Sequence, residues 1–163
     1  AITAIGQGFT LVTPLQLANA TAKLANPNLS IKPHLLLSID GINQDKQKVE
    51  ERKQSYSDEN LKWVKKGMVN VTKEGGTAAF LGRKSNYQMA SKTGTAQLFG
   101  LKIDEEYNED ILPDKLKDHA LFITYAPAID PEIVIAVIVE NGGHGGSVAG
   151  PIAKKVLDAY LYK

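Results

Sequence analysis

No cysteine occurs among the 163 residues, which removes disulfides and thiolate metal sites and fits any redox compartment. Excess charge is missing as well: 19 basic side chains against 18 acidic ones leave a net charge of +1. With no cluster of Lys and Arg interleaved with aromatics, nothing points to a nucleic-acid partner. Long apolar runs are also missing. The longest, Ile133 to Val139, falls far short of the roughly 20 residues that a membrane-spanning helix needs. There is no internal repeat and no low-complexity tract. The chain opens on Ala1 with no signal-peptide pattern; the expectation is a segment of a longer protein whose targeting region lies upstream.

What is present suits one domain with a proper core, at 43% apolar and 23% charged residues. Gly6-Gln7-Gly8 reads as a loop, since a dinucleotide fingerprint would need a third glycine and a preceding apolar strand. Thr13-Pro14-Leu15-Gln16 is a helix start, with Thr13 as N-cap, Pro14 at N1 and Gln16 closing a capping box. Val12 and Leu17 hold the staple positions, Leu17, Ala20, Thr21 and Leu24 recur at helical spacing, and Asn26-Pro27 stops the helix. His34 to Ile39 reads as a strand and Asp40-Gly41 as a hairpin turn, followed by a polar return arm to about Arg52. Ser57 caps a second helix with a Leu61, Val64, Met68, Val71 stripe, Trp63 off the stripe and partly buried, and Gly75-Gly76 at its end. Residues 87–97, 120–125 and 133–139 read as three strands, the last apolar throughout as if covered on both faces. Residues 98–118 are charged and aperiodic, residues 141–146 form a glycine-rich loop, and Pro151 opens a final helix. Its faces carry Ile152, Val156 and Ala159, with Ala153, Leu157 and Tyr160 beside them. Three consecutive strands with looped connections predict an α+β fold: an antiparallel sheet with helices packed on it.

The chemistry concentrates in Lys92-Thr93-Gly94-Thr95-Ala96-Gln97. Lys-Thr-Gly is one of three short motifs of the serine acyl-transfer enzymes that bind penicillin. The other two, Ser-x-x-Lys with the nucleophile and a Ser-x-Asn-type triplet, are both missing from this chain. An acyl-transfer site must hold an extended donor and stabilise an oxyanion. An edge strand serves the first task, because a peptide can pair along it. Gly94 removes a side chain where such a substrate approaches, and the Thr95 N–H can face the oxyanion. The hydroxyls of Thr93 and Thr95, with the Lys92 charge, suit a carboxylate. Alternation puts Lys92 and Thr93 on opposite faces, so both serve one cleft only if the strand lies on its rim. The plainer alternative is a solvated edge strand, where Lys and Thr discourage aggregation.

Together with Gly6-Gln7-Gly8, Thr13-Pro14-Leu15-Gln16-Leu17-Ala18, the stretch from His119 to Ala126-Pro127, and Val139-Glu140-Asn141-Gly142-Gly143 with Pro151 after it, the motif resembles the class B penicillin-binding proteins. Lys92 to Phe99, Tyr107-Asn108 and Asp118-His119 resemble the rod-elongation branch of that class. The resemblance implies the penicillin-binding/serine β-lactamase-like transpeptidase fold, of which residues 1–163 would be the C-terminal portion. The upstream half of the same protein would carry the nucleophile and two further strands, so this chain alone would be inactive and would leave an open sheet edge. It implies a peptidoglycan D,D-transpeptidase in which Lys92 and Thr95 are catalytic. Thr93, Gly94, Thr95 and Gln97 would bind substrate, and no metal or cofactor is required. Implied partners are D-Ala-D-Ala stem peptides, β-lactam antibiotics, an MreC-type scaffold and a SEDS-family glycosyltransferase. The implied location is the periplasmic face of the bacterial inner membrane.

Two other functions share Lys-Thr-Gly: a β-lactamase or D,D-carboxypeptidase, and a non-enzymatic penicillin sensor or scaffold. Gly75-Gly76-Thr77-Ala78 reads either as a loop near the cleft or as a helix cap. His144 reads as a solvated loop residue, having no carboxylate or second histidine at ligand spacing, and His34 and His119 as structural. Glu105-Glu106 and Glu109-Asp110 lack the spacing of a calcium site.

Overall fold

The computed structural model describes residues 11–28, 32–43, 56–98 and 113–162. The glycine pair at 6–8, most of the polar arm, the acidic cluster and the bulk of the 98–118 connection lie outside them. The elements run α1 (Pro14–Ala25), β1 (Ser38–Ile39), β2 (Ile42–Asn43), α2 (Asp58–Asn70), α3 (Ala79–Gly82), β3 (Ala90–Ala96), a 3-10 turn (Asp114–Leu116), β4 (His119–Ala126), β5 (Ile133–Val139) and α4 (Ala149–Leu161). This is the expected α+β order, with α3 added.

Helix α1 starts as the sequence predicts. The Thr13 hydroxyl accepts from the Gln16 N–H at 3.2 Å, and the Gln16 side chain accepts from the Thr13 N–H at 2.8 Å. The Asp40-Gly41 turn has φ of 48° and 78°, the left-handed pair that a two-residue hairpin needs. Its arms hydrogen-bond over only two residues each, and Ile39 and Ile42 stay exposed.

The principal sheet is antiparallel in the order β3-β4-β5, with Ala90 opposite Tyr125 and Ala96 opposite His119. Alternation along β4 gives the sheet two faces. On one, Ala120, Phe122 and Ala126 pack with Ala153 and Leu157 of α4 and with Leu81 of α3. On the other, Tyr125 and Ala90 pack with Met68 of α2 and Ala25 of α1. Helices on both sides explain why β4 is the most buried strand, while β3 and β5 form the edges of the described sheet.

Several details depart from the sequence expectation. Trp63 is 61% exposed, with the Lys66 ammonium 4.8 Å from its ring. Val64 drops out of the α2 stripe, and Val12 and Ala20 drop out of α1's buried set, which is Thr21 and Ala25. On α4 the buried face is Ala149, Gly150, Ala153 and Leu157, leaving Ile152, Val156 and Ala159 exposed. The reason is close packing: a Cβ on Gly150 would stand 2.7 Å from Leu81, so the helix approaches on its small residues. β5 is half-buried rather than enclosed, and Ile138 is exposed. Helix α2 ends at Asn70, ahead of the glycines, and Gly75 (φ 80°) instead turns the chain from α2 toward α3.

A polar clamp ties α4 to the approach of β3. Asp158 accepts from the Tyr87 hydroxyl at 2.7 Å and from Lys154 at 2.6 and 2.9 Å. Burial opposes the Asp158 charge, but these donors outweigh it and hold its pKa below the ordinary value. A depressed carboxylate pKa contributes stability above the unfolded value, lost as pH falls through the folded one. Asp158→Asn is therefore expected to cost about 1 kcal/mol at neutral pH, discounted for partial exposure. Thermal unfolding should show this as a drop of about 2–4 °C that shrinks as pH falls below about 4. A pH-independent difference would remove the charge from the account.

Candidate functional site

The site grows from β3. Its N-terminal part is covered: the turn after α2 wraps around the strand's edge, and the Thr72 hydroxyl donates to the Met89 carbonyl at 3.2 Å. Farther along, the exposed Lys92 donates to the Thr93 carbonyl at 2.6 Å. In an antiparallel ladder the N–H and C=O of one residue point the same way, and successive residues alternate. Met89 and Thr93 both send their carbonyls away from β4. The same alternation directs the backbone of Thr95 toward the strand's outer side.

Side chains alternate across the other axis. Ser91, Thr93 and Thr95 share the face that α4 covers, while Lys92 and Gly94 share the α1 and α2 face. Ser91 is fully buried and donates to the Thr124 hydroxyl opposite at 2.9 Å, anchoring the strand ahead of the motif. Lys92 starts on the far face and bends to the outer edge of the strand through its bond to the Thr93 carbonyl. Gly94 has a role inside the sheet: a Cβ there would meet the Leu121 Cβ at 3.2 Å. Gln97 lies one residue past the strand and is exposed, so β3 pairing does not align it with the others.

The glycine-rich loop before α4 lies across the sheet at this point. A Cβ on Gly145 would collide with the carbonyl oxygens of Leu121 and Gly94 and stand 3.0 Å from the Gly94 nitrogen. Gly145 therefore rests on bare backbone between Thr93 and Thr95. Gly146 continues alongside, where a Cβ would stand 3.2 Å from the Thr77 carbonyl and 3.3 Å from the Thr93 methyl. The loop is held at its start by Asn141 (φ 55°), whose amide donates to the carbonyls of Lys115 and Lys117 at 3.1 and 3.0 Å. The Asn141 N–H donates to His119 Nδ1 at 3.0 Å, so His119 is structural, as expected. His144 is exposed between buried glycines.

Two features gained a place only from the structure. Thr77 stands on the turn after Gly75-Gly76 with its hydroxyl 3.4 Å from that of Thr93, which resolves the ambiguous stretch in favour of a loop beside the motif. Asp118, ahead of β4, is buried, and its Oδ1 has no partner among the described residues. Its backbone carbonyl accepts from the Gly143 N–H at 2.8 Å and so helps seat the loop. The glycine spacing at 142–146 was a usable signal for the loop's close approach; Asp118 stood out in the sequence only as part of the Asp118-His119 resemblance, with no sign of its burial.

The geometry has counterparts. The penicillin binding protein transpeptidase domain family matches residues 1–158. The peptidoglycan D,D-transpeptidase MrdA of Haemophilus influenzae is 43% identical over 164 residues, covering 96% of this chain and 25% of that protein. The crystal structure of Pseudomonas aeruginosa PBP2 in complex with WCK 5153 superposes with a TM-score of 0.80 at 40% identity, over 99% of this chain and 33% of that one. PBP2 from Helicobacter pylori, solved in complex with MreC, gives a TM-score of 0.77 at 29% identity, over 99% of this chain and 27% of that one. The chain thus spans about a quarter of the length of the curated relative.

Proposed function

The chain belongs to the penicillin-binding protein transpeptidase family, and on that premise we propose that it forms the C-terminal portion of the transpeptidase domain of a peptidoglycan D,D-transpeptidase of cell-wall elongation. The nucleophilic serine comes from the upstream part of the same protein. It attacks the carbonyl of the penultimate D-Ala of a stem peptide, and the terminal D-Ala leaves with a proton. An amine of a second strand then displaces the serine from the acyl-enzyme. A β-lactam acylates the same serine with opening of its ring.

β3 supplies the wall of this reaction. The donor peptide pairs along the outer side of the strand. The Thr95 N–H stabilises the oxyanion, the Thr93 and Thr95 hydroxyls hold the terminal carboxylate, and Lys92 polarises the reacting hydroxyls at the rim. Gln97 borders the exit of the groove. The reading calls for no metal or cofactor. An MreC-type partner is proposed from the Helicobacter pylori complex, and a SEDS-family glycosyltransferase from the same elongation role. The domain then works on the periplasmic face of the inner membrane.

One observation carries the reading: Lys92-Thr93-Gly94-Thr95 lies on an edge strand with both hydroxyls on one face and the Thr93 carbonyl directed outward. The test is fluorescent penicillin on the full-length parent. Covalent label that persists for many minutes is the expected result. An unlabelled parent overturns the proposal, and rapid loss of label with release of hydrolysed penicillin favours the β-lactamase alternative.

A further inference from the structure

We propose that Thr77 is a third hydroxyl of the substrate carboxylate site, an inference that rests on the function proposed above. The turn that carries it is built for position. Gly75 takes φ 80°, the Gly76 N–H donates to Lys73 at 2.9 Å, and the Ala78 N–H donates back to Val71 at 2.9 Å. Gly76 cannot carry a side chain, because a Cβ would collide with the Asn70 and Val71 carbonyls. On the far side, Ala78 is fully buried in the core under α4. Thr77 is thus an exposed residue on a turn fixed at both ends, placed where the covered part of β3's edge stops and the open part starts.

Its hydroxyl stands 3.4 Å from the Thr93 hydroxyl. That is long for a bond between two hydroxyls, whose usual separation is about 2.7–2.8 Å. It is a good separation for two donors sharing one acceptor. An oxygen at ordinary hydrogen-bonding distance from both completes a triangle with the pair, and a carboxylate oxygen accepts two such bonds. Gly146 closes the back of the pair, packed against the Thr77 carbonyl and the Thr93 methyl, so an entering anion meets the two hydroxyls from the open side.

The experiment uses the full-length parent and compares acylation rates for a penicillin and its methyl ester, whose masked carboxyl lacks the charge. Thr77→Val keeps the shape and removes the hydroxyl; Thr77→Ser keeps the hydroxyl. Thr77→Val is expected to lower the acid-over-ester preference about tenfold, as loss of one hydrogen bond to a charged group does, and Thr77→Ser to restore it. An unchanged preference in Thr77→Val, or an equal fall for acid and ester, overturns the role of Thr77, since the residue would then only support the turn. A wild-type parent that takes no label from either compound overturns the function proposed above and the role of Thr77 with it.

Discussion

Lys92→Ala in the full-length parent is expected to slow acylation by penicillin about a hundredfold to ten-thousandfold, the range for removal of a positioned proton-handling group. The expectation follows from where the ammonium ends rather than from where the side chain starts. Lys92 leaves β3 on the α1 and α2 face, opposite the threonines, and its ammonium turns to the Thr93 carbonyl at the rim. On the function proposed above, an ammonium at that edge would act on groups that must lose or pass a proton. Because the side chain is exposed, truncation should change folding stability by no more than about 0.5 kcal/mol. The two measurements together are diagnostic. A large loss of acylation rate at an unchanged melting temperature assigns Lys92 to the chemistry. A rate within tenfold of wild type would leave β3 as a binding wall only.

The parts of this arrangement that short-range rules govern were legible beforehand. The capping box at Thr13 and Gln16, the Asp40-Gly41 turn, the Ser57 cap and the three-strand sheet all follow from local chemistry and period, and each is present. Period alone misjudged which apolar residues are buried. Ile152 and Val156 lie on a helical stripe as apolar as the buried one, yet α4 turns Gly150 and Ala153 inward, with approach to Leu81 and Phe122 so close that position 150 has no room for a side chain. That choice depends on the partner surface, which the sequence does not display. Trp63 failed for a related reason: aromatic bulk suggests burial, but on α2 the neighbouring elements meet the Leu61 and Met68 side. The site divides the same way. Lys92, Thr93, Gly94 and Thr95 are contiguous, so a motif and an alternation rule place them. Thr77 and Gly145 reach the motif from 16 and 51 positions away in the chain and owe their place to tertiary packing (Thr77 to Thr93, Gly145 to Gly94).

That packing makes Gly145 the position where the smallest change should do the most structural harm. An alanine methyl there would overlap the carbonyl oxygens of Gly94 and Leu121, with the Gly94 nitrogen at 3.0 Å. All three are backbone atoms of one strand pair, so no rotamer change relieves the clash. Either the loop lifts from the sheet or β3 moves relative to β4. Lifting the loop withdraws Gly146 from Thr77 and Thr93; moving β3 displaces the Thr95 backbone from the place proposed for it beside the oxyanion. Overpacking of this kind costs about 1–3 kcal/mol or more. For a chain of this size that is about 2–4 °C in melting temperature for each kcal/mol. Gly67→Ala supplies the contrast. Gly67 lies inside α2 with open space where its Cβ would be, so alanine there should raise stability by about 0.5–1 kcal/mol through helix propensity. In the full-length parent, Gly145→Ala should therefore lower both the melting temperature and the acylation rate, the rate by at least about tenfold, equivalent to about 1.4 kcal/mol in the barrier. The double effect separates it from Lys92→Ala, which spares stability. Wild-type stability in Gly145→Ala would mean that the loop does not rest on the β3–β4 backbone. Lost stability with a wild-type rate would mean that the loop supports the fold without setting the geometry of the site.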